Sequence, residues 1–419
     1  MNNVFEISSL VITLAAACSY INFKYVRLPP TIGIMLMSLV GSLLLAALGH
    51  AWPPLHDHVA KLMAQIDFRQ IVLHGMLAFL LFAGSLHLSV EHLRQERDVV
   101  SILAIAGTAL SSVLVSGLIW LVLRGVGLHL PLSYCLLFGA LISPTDPIAV
   151  LGVMKHVHAP KALEAQLAGE SLFNDGIGVV IFLTALNAVV AAARPSWAHL
   201  ILTLFTQVLG GIVLGCAVGA LIYHLLKRIE NYQVEVLLTL AAAAGGFTLA
   251  EAVHVSAPIA TVVCGLLVGS RGRAHAMSSK TREHLDMFWE LLDDILNAVL
   301  FLLIGLQMLV THLTWPLVVA GLLSIVITLA CRFLSVAGGV ALVERWRSVP
   351  AGTVTVLTWG GLRGGLSVAM ALSLPHNSHS DVVLAMTYAV VIFSVAVQGL
   401  TIGQVIKKAT APRQVQVAV

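Results

Sequence analysis

The stretch ESLFNDGIGVVIFLTALNAVVAAA, Glu170–Ala193, decides how the rest of the chain is read. From Gly176 onward it carries no charge until Arg194, and about 20 apolar residues suffice to cross a bilayer as a helix. Its opening turns nevertheless hold two carboxylates, Glu170 and Asp175, and an amide, Asn174. A charged side chain at mid-membrane costs at least ~2.5–3.5 kcal/mol on insertion scales, so such residues face a bundle interior and need a partner or an ion. The stretch predicts a bundle of membrane helices around a polar centre.

The composition agrees. Of 419 residues, 58% are hydrophobic and 10% charged, against about a quarter charged in a soluble domain, and the mean hydropathy is +0.96. About thirteen spanning segments are expected, at 4–22, 28–48, 67–88, 99–122, 131–153, 166–193, 200–226, 234–254, 257–270, 288–310, 316–343, 351–374 and 382–405. The ninth is short for a span of its own. Long runs rich in Leu, Ala and Gly are helices; a β-barrel would show short alternating segments. The first run has no basic region before it and no small-residue cleavage site, so it reads as a spanning helix with no soluble domain before it. The net charge of +3 is too weak to imply nucleic acid. The five cysteines lie in apolar runs without paired spacing and read as small core residues.

Sorting Lys and Arg by loop places 17 on one side, the side of the C-terminus, and 4 on the other. The positive-inside rule then puts the C-terminus in the cytoplasm and the N-terminus outside. The two remaining bases, Arg332 and Arg363, lie inside apolar runs. The acids at comparable depth are Glu170, Asp175 and Asp146, with Glu251 and Asp294 as further candidates.

Three constellations stand out. On a helix Glu170 and Asn174 share one face, and Ser171 and Asp175 the adjacent one. Such oxygens suit a dehydrated small cation, and a carboxylate can hold a proton instead; a buried acid satisfying a buried base is the other reading. In SPTDPIAV, Ser143–Val150, Pro144 and Pro147 disfavour helix around Thr145 and Asp146. Broken helices at membrane depth line a cavity or are buried in protein, and their ends can hold ions; a plain proline kink is the alternative. In TWGGLRGGLSVAMALSLP, Thr358–Pro375, four glycines surround Arg363. Either the helix unwinds there, with the arginine neutralising carbonyl-bearing helix ends, or the glycines serve packing alone.

The order of these motifs carries topology. Span 5 is broken and span 6 carries the acids; seven spans after the first break, span 12 is broken and span 11 carries Arg332. An offset of seven in thirteen reverses orientation between copies, the mark of an inverted repeat with its site at the repeat interface. Spans 4–6 and 11–13 are expected to form one bundle, and spans 1–3 and 8–10 a second. The histidine pairs His56/His58, His156/His158 and His376/His379 read as interfacial surface residues.

ESLFNDG, SPTDP and GGLRGG, in this order and spacing, resemble the sodium/proton antiporters of the monovalent cation/proton antiporter-1 family, which includes the bacterial NhaP-type proteins and the animal exchangers. The resemblance runs from FLLFAGSLHL, Phe79–Leu88, to the last span. It implies an all-α polytopic fold of thirteen helices, with a core domain, a dimerisation domain and two crossing broken helices. The expected divisions are dimerisation helices in 1–97 and 228–312, core helices in 98–193 and 313–406, a linker helix in 194–227 and a cytoplasmic tail in 407–419. The resemblance also assigns roles. Asp175 matches the ion- and proton-binding carboxylate and Asn174 the asparagine before it, a pair typical of electroneutral members. Glu170 matches the acid that pairs with an arginine, here Arg332 in LACRFLSV. Ser171 and Thr145 match groups lining the site, and Asp146 and Arg363 match charges at the helix crossover.

The expectation is a homodimeric, multi-pass protein of a bacterial inner membrane, not an enzyme and without a cofactor. It exchanges Na⁺ or Li⁺ for H⁺ one for one by alternating access and so serves pH homeostasis. A K⁺/H⁺ antiporter is the rival reading, and a cation channel a more distant one. An intramembrane hydrolase is set aside because neither a nucleophile elbow nor HExxH occurs. Beside the animal exchangers the tail from Lys407 is short, and no tail-borne regulator is expected.

Overall fold

The computed structural model describes residues 2–51, 70–88, 90–157, 159–190, 197–272, 277, 279–307, 314–375 and 377–410. The chain is helical almost throughout; among the described residues the sole β feature is one isolated bridge. The helices are α1 (Asn2–Ile21), α2 (Pro30–Ala51), α3 (Gln70–Leu86) and α4 (Arg97–Gly125). They continue with α5a (Leu132–Ile142), α5b (Ile148–His156), α6 (Lys161–Val190), α7 (Trp197–Leu226) and α8 (Tyr232–Ala252). The last are α9 (Ala257–Leu267), α10 (Ser279–Gln307), α11 (Trp315–Val343), α12a (Thr353–Trp359), α12b (Gly365–Leu372) and α13 (Ser378–Thr410). Every expected span thus has a helix, and the fifth and twelfth are broken as expected. The ninth is short, and a π-helical turn over Val268–Gly272 extends it. The loop histidines His56, His58, His158 and His376, the boundary near 194 and 312–313, and the tail beyond 410 lie outside the described residues.

Local chemistry sets several helix starts. The side chain of Asn231 accepts from the N–H groups of Gln233 and Val234 and opens α8. Ser256 accepts from Ile259 N–H, with a proline in the first turn, and opens α9. Asn377 accepts from His379 and Ser380 and opens α13. Each satisfies donors that a helix start leaves orphaned.

Polarity is arranged for lipid. Leu202, Phe205, Leu209 and Val213, spaced as one helical stripe on α7, are exposed, while Ser112, Ser116, Ser143, Thr145, Gln166, Ser171 and Ser324 are buried. Small hydroxyls inside and large apolar groups outside are what a bundle in a bilayer requires. Cys135, Cys264 and Cys331 are buried as expected, but Cys216 faces outward.

Packing pairs α4 with α5a and α11, α5a with α6, and α11 with α13. It also pairs α2 with α10, α3 with α9, and α9 with α7 and α8. The two groups meet where α6 lies on α9 and where α12b lies on α10 and the start of α3. The polar centre is at this second seam.

Candidate functional site

The site begins with two interruptions of helix. Residues 143–147 leave helical geometry between α5a and α5b, and residues 360–364 do so between α12a and α12b. Pro144 and Pro147 cannot donate to the preceding turn. The glycines permit close approach: a methyl on Gly361 would lie 2.8 Å from Arg332 Nε, and one on Gly364 2.7 Å from Asp146 Cβ. Unwinding and packing are therefore both served by GGLRGG. The two interruptions cross, and Asp146 N–H donates to Leu362 O at 2.8 Å in an antiparallel bridge.

Every break at membrane depth exposes backbone groups that need partners. The carbonyls that end α5a, those of Ser143 and Pro144, both accept from Arg363 Nη1, at 2.7 and 2.8 Å. Near the end of α12a, Leu357 O accepts from Arg332 Nη2 at 3.0 Å and Trp359 O from Gln398 Nε2 at 3.1 Å. Thr145 N–H donates to Asn174 Oδ1 at 3.1 Å, and Arg363 N–H to Ser394 Oγ at 2.8 Å. Ser394 opens a π-helical turn of α13, a distortion that tends to accompany functional sites. Arg363 thus sits at the carbonyls that end α5a.

α6 runs past the crossing. Glu170 forms a forked pair with Arg332, Oε1 with Nη1 at 2.5 Å and Oε2 with Nη2 at 2.7 Å, and both are buried. Asn174, one turn on, donates from Nδ2 to Thr145 Oγ1 at 2.9 Å and more weakly to Glu170 Oε1 at 3.4 Å. Ser171 donates to the Thr145 carbonyl, and its Oγ lies 3.1 Å from Thr145 Oγ1. Glu170 and Asn174 bond from one face of α6; on the adjacent one Ser171 bonds Thr145, and Asp175 follows one turn on.

Asp175 is half-buried and lines a cavity of about 90 Å³ at the seam. Thr145 and Asp146 lie on the same wall, and the backbone of α12b from Gly364 to Ser367 closes it. Glu170 is matched by Arg332, and Asp146 stands at the crossing that Arg363 grips. Of Glu170 and Asp175 on α6, Asp175 is the one that faces open volume. A carboxylate so placed can take a small cation or a proton.

Two residues of the same cavity escaped the sequence reading: Asp293 and Asn297, on α10. The expectation named Asp294 instead, and Asp294 is exposed, as is Glu251. Adjacent aspartates point about 100° apart on a helix, and the sequence alone does not fix which of the two faces inward. Asn297, four residues after Asp293, was the available signal.

Residues 10–408 match the family model described as sodium/hydrogen exchanger, transmembrane. The chain is 42% identical over 408 residues to the Na⁺/H⁺ antiporter NhaP of Pseudomonas aeruginosa, covering 96% of each chain. It is 33% identical over 407 residues to the Na⁺/H⁺ antiporter NhaH of Halobacillus dabanensis, covering 95% of this chain and 96% of that one. The fold is similar to that of the sodium/proton antiporter MjNhaP1 of Methanocaldococcus jannaschii. The TM-score is 0.75 at 20% identity, over 98% of this chain and 99% of that one.

Proposed function

The chain belongs to the sodium/hydrogen exchanger family, and from that membership we propose that it exchanges Na⁺ or Li⁺ for H⁺ across a membrane, with Asp175 binding cation and proton in competition. The observation that carries the site is the position of Asp175. It lies on the cavity wall beside the helix crossing, while its neighbour Asn174 is tied to Thr145 and Glu170 is tied to Arg332.

Charge accounting supports one-for-one exchange. The crossing region holds three acids, Glu170, Asp175 and Asp146, and two bases, Arg332 and Arg363. The bundle that carries the crossing thus has a surplus of one negative charge there, which one Na⁺ or one proton cancels; Asp293 of α10, on the other bundle, does not travel with it. With Asp175 bare, the surplus charge would have to pass a low-dielectric barrier, at a cost of several kcal/mol. With either ion bound, the bundle of α4–α6 and α11–α13 can move against that of α1–α3 and α8–α10 and turn the site to the other side. Two mobile states and one immobile state suffice for coupled exchange. Thr145 and Ser171 supply further oxygens; Glu170–Arg332, and Arg363 on the carbonyls of Ser143 and Pro144, hold the frame.

The domain division given above, the homodimer through residues 1–97 and 228–312, the cytoplasmic C-terminus, the inner-membrane setting and a role in pH homeostasis belong to the same reading. The packing of α4, α5a and α11 together, and of α2 with α10, supports the two bundles.

The test is proton flux in proteoliposomes under Na⁺, Li⁺ or K⁺ gradients, with Asp175→Asn alongside. Proton movement that requires a cation gradient and vanishes in a folded Asp175→Asn protein is expected, and the ranking of ions gives the selectivity. Equal flux through both proteins refutes the assignment, and flux without counter-moving protons would indicate a channel.

A further inference from the structure

We propose that Asp293 and Asn297 of α10 form a second, outer station for the transported cation, across the cavity from Asp175. This rests on the exchange reading of Asp175 and adds a residue pair to it from the opposite bundle.

The cavity has two unlike walls. One is the crossing with Asp175. The other belongs to α3 and α10, where Val72, Leu77, Leu81 and Leu300 make an apolar lining interrupted by Asp293 and Asn297. Four residues apart, these two share one helix face. Asn297 is 2% exposed. Its Nδ2 is committed to the Asp293 carbonyl at 2.9 Å. Its Oδ1 is buried without a hydrogen-bond partner, and so is Asp293 Oδ1. Buried oxygens of this kind are uncommon in a folded protein and call for an explanation.

A cation explains both. A carboxylate and an amide oxygen are hard donors suited to Na⁺ or Li⁺, and the amide, held by its own helix through Nδ2, leaves its oxygen unpaired. The volume of about 90 Å³ accommodates an ion that keeps some of its waters, given about one probe sphere per water. Asp293 and Asp146 line the one cavity and repel each other, and a cation between them relieves that repulsion. Asp293 stands midway along α10 and lines the same cavity as the crossing. Because α10 and α6 belong to different bundles, the outer station stays behind when Asp175 moves. It hands the ion to the carrier and does not change the number of ions carried.

Two measurements test this. In proteoliposomes, Asp293→Asn and Asn297→Leu are expected to raise the KM for Na⁺ about tenfold while the maximal rate changes by less than about twofold. Asp293→Glu should restore KM. An unchanged KM in both folded variants overturns the proposal. Independently of any variant at these positions, crystals soaked in Tl⁺ should show anomalous density beside Asp293 and Asn297, in the wild type and in Asp175→Asn alike. Density at Asp175 alone overturns the outer station and leaves the exchange reading standing. Exchange persisting in Asp175→Asn overturns the exchange reading, whatever Tl⁺ does at α10.

Discussion

Asn174 and Thr145 hold each other reciprocally: Thr145 N–H donates to Asn174 Oδ1 at 3.1 Å, and Asn174 Nδ2 donates to Thr145 Oγ1 at 2.9 Å. One amide thus satisfies both backbone and side chain of the residue at the first break and fixes α6 against it.

Asn174→Ala leaves the Thr145 N–H buried and unpaired, at a cost of ~1–3 kcal/mol. A lower melting temperature in detergent and a slower exchange rate are expected. Asn174→Gln should not rescue it, because the added methylene displaces the amide from both partners. An unaltered melting temperature would show that the pair contributes little.

Glu170 and Arg332 should behave as a unit. Removing one partner of a buried pair costs ~3–5 kcal/mol because it strands the other charge. Glu170→Ala and Arg332→Ala are expected to lose yield and thermal stability first. Replacing both with packed apolar residues should restore much of the stability. A Glu170→Ala protein of wild-type stability that cannot exchange would instead move Glu170 into the ion site.

Gly364→Ala would place its methyl 2.7 Å from Asp146 Cβ, and overpacking of this kind costs ~1–3 kcal/mol. Exchange should fall while helical content by circular dichroism is retained. Gly338→Ala on α11, where a methyl would meet nothing within 4 Å, serves as the neutral control.

A second buried acid anchors the same helix further from the cavity. Glu96 accepts from Gln166 Nε2 at 2.7 Å and from Arg347 Nη2 at 2.6 Å, and Arg347 also donates to the Gln95 carbonyl. Arg347→Ala removes one arm of this arrangement and should lower stability by ~1–3 kcal/mol, since a buried charge loses a hydrogen bond. Saturable exchange with an unchanged KM for Na⁺ is the expected companion result.

Much of this was legible in the sequence, for identifiable reasons. Apolar length located each span. Pro144 and Pro147 located one break, and the glycines around Arg363 the other. Charge at depth singled out Glu170, Asp175, Arg332 and Arg363. The π-helical turns at Asn22–Val26 and Ser394–Gln398 were not legible, because such turns depend on what packs against a helix. The choice between Asp293 and Asp294 was hidden for a related reason: α10 is rich in acids along its first half, and only the neighbouring α3 and α12b decide which face is inside. The bond from Asp146 to Leu362 joins backbone atoms far apart in the chain, and side-chain identity carries no record of it.

That bond has a mechanical consequence. With Arg363 gripping the carbonyls of Ser143 and Pro144, the two broken helices are riveted where each alone would be weakest. Neither half-helix can slide without dragging its counterpart. The crossing is a stiff joint, and the compliance needed for transport is displaced to the seam of α6 with α9 and of α12b with α10. In the exchange proposed above, the ion would then be carried by the stroke of a whole assembly, and its two faces would alternate without the binding geometry being dismantled at each turn.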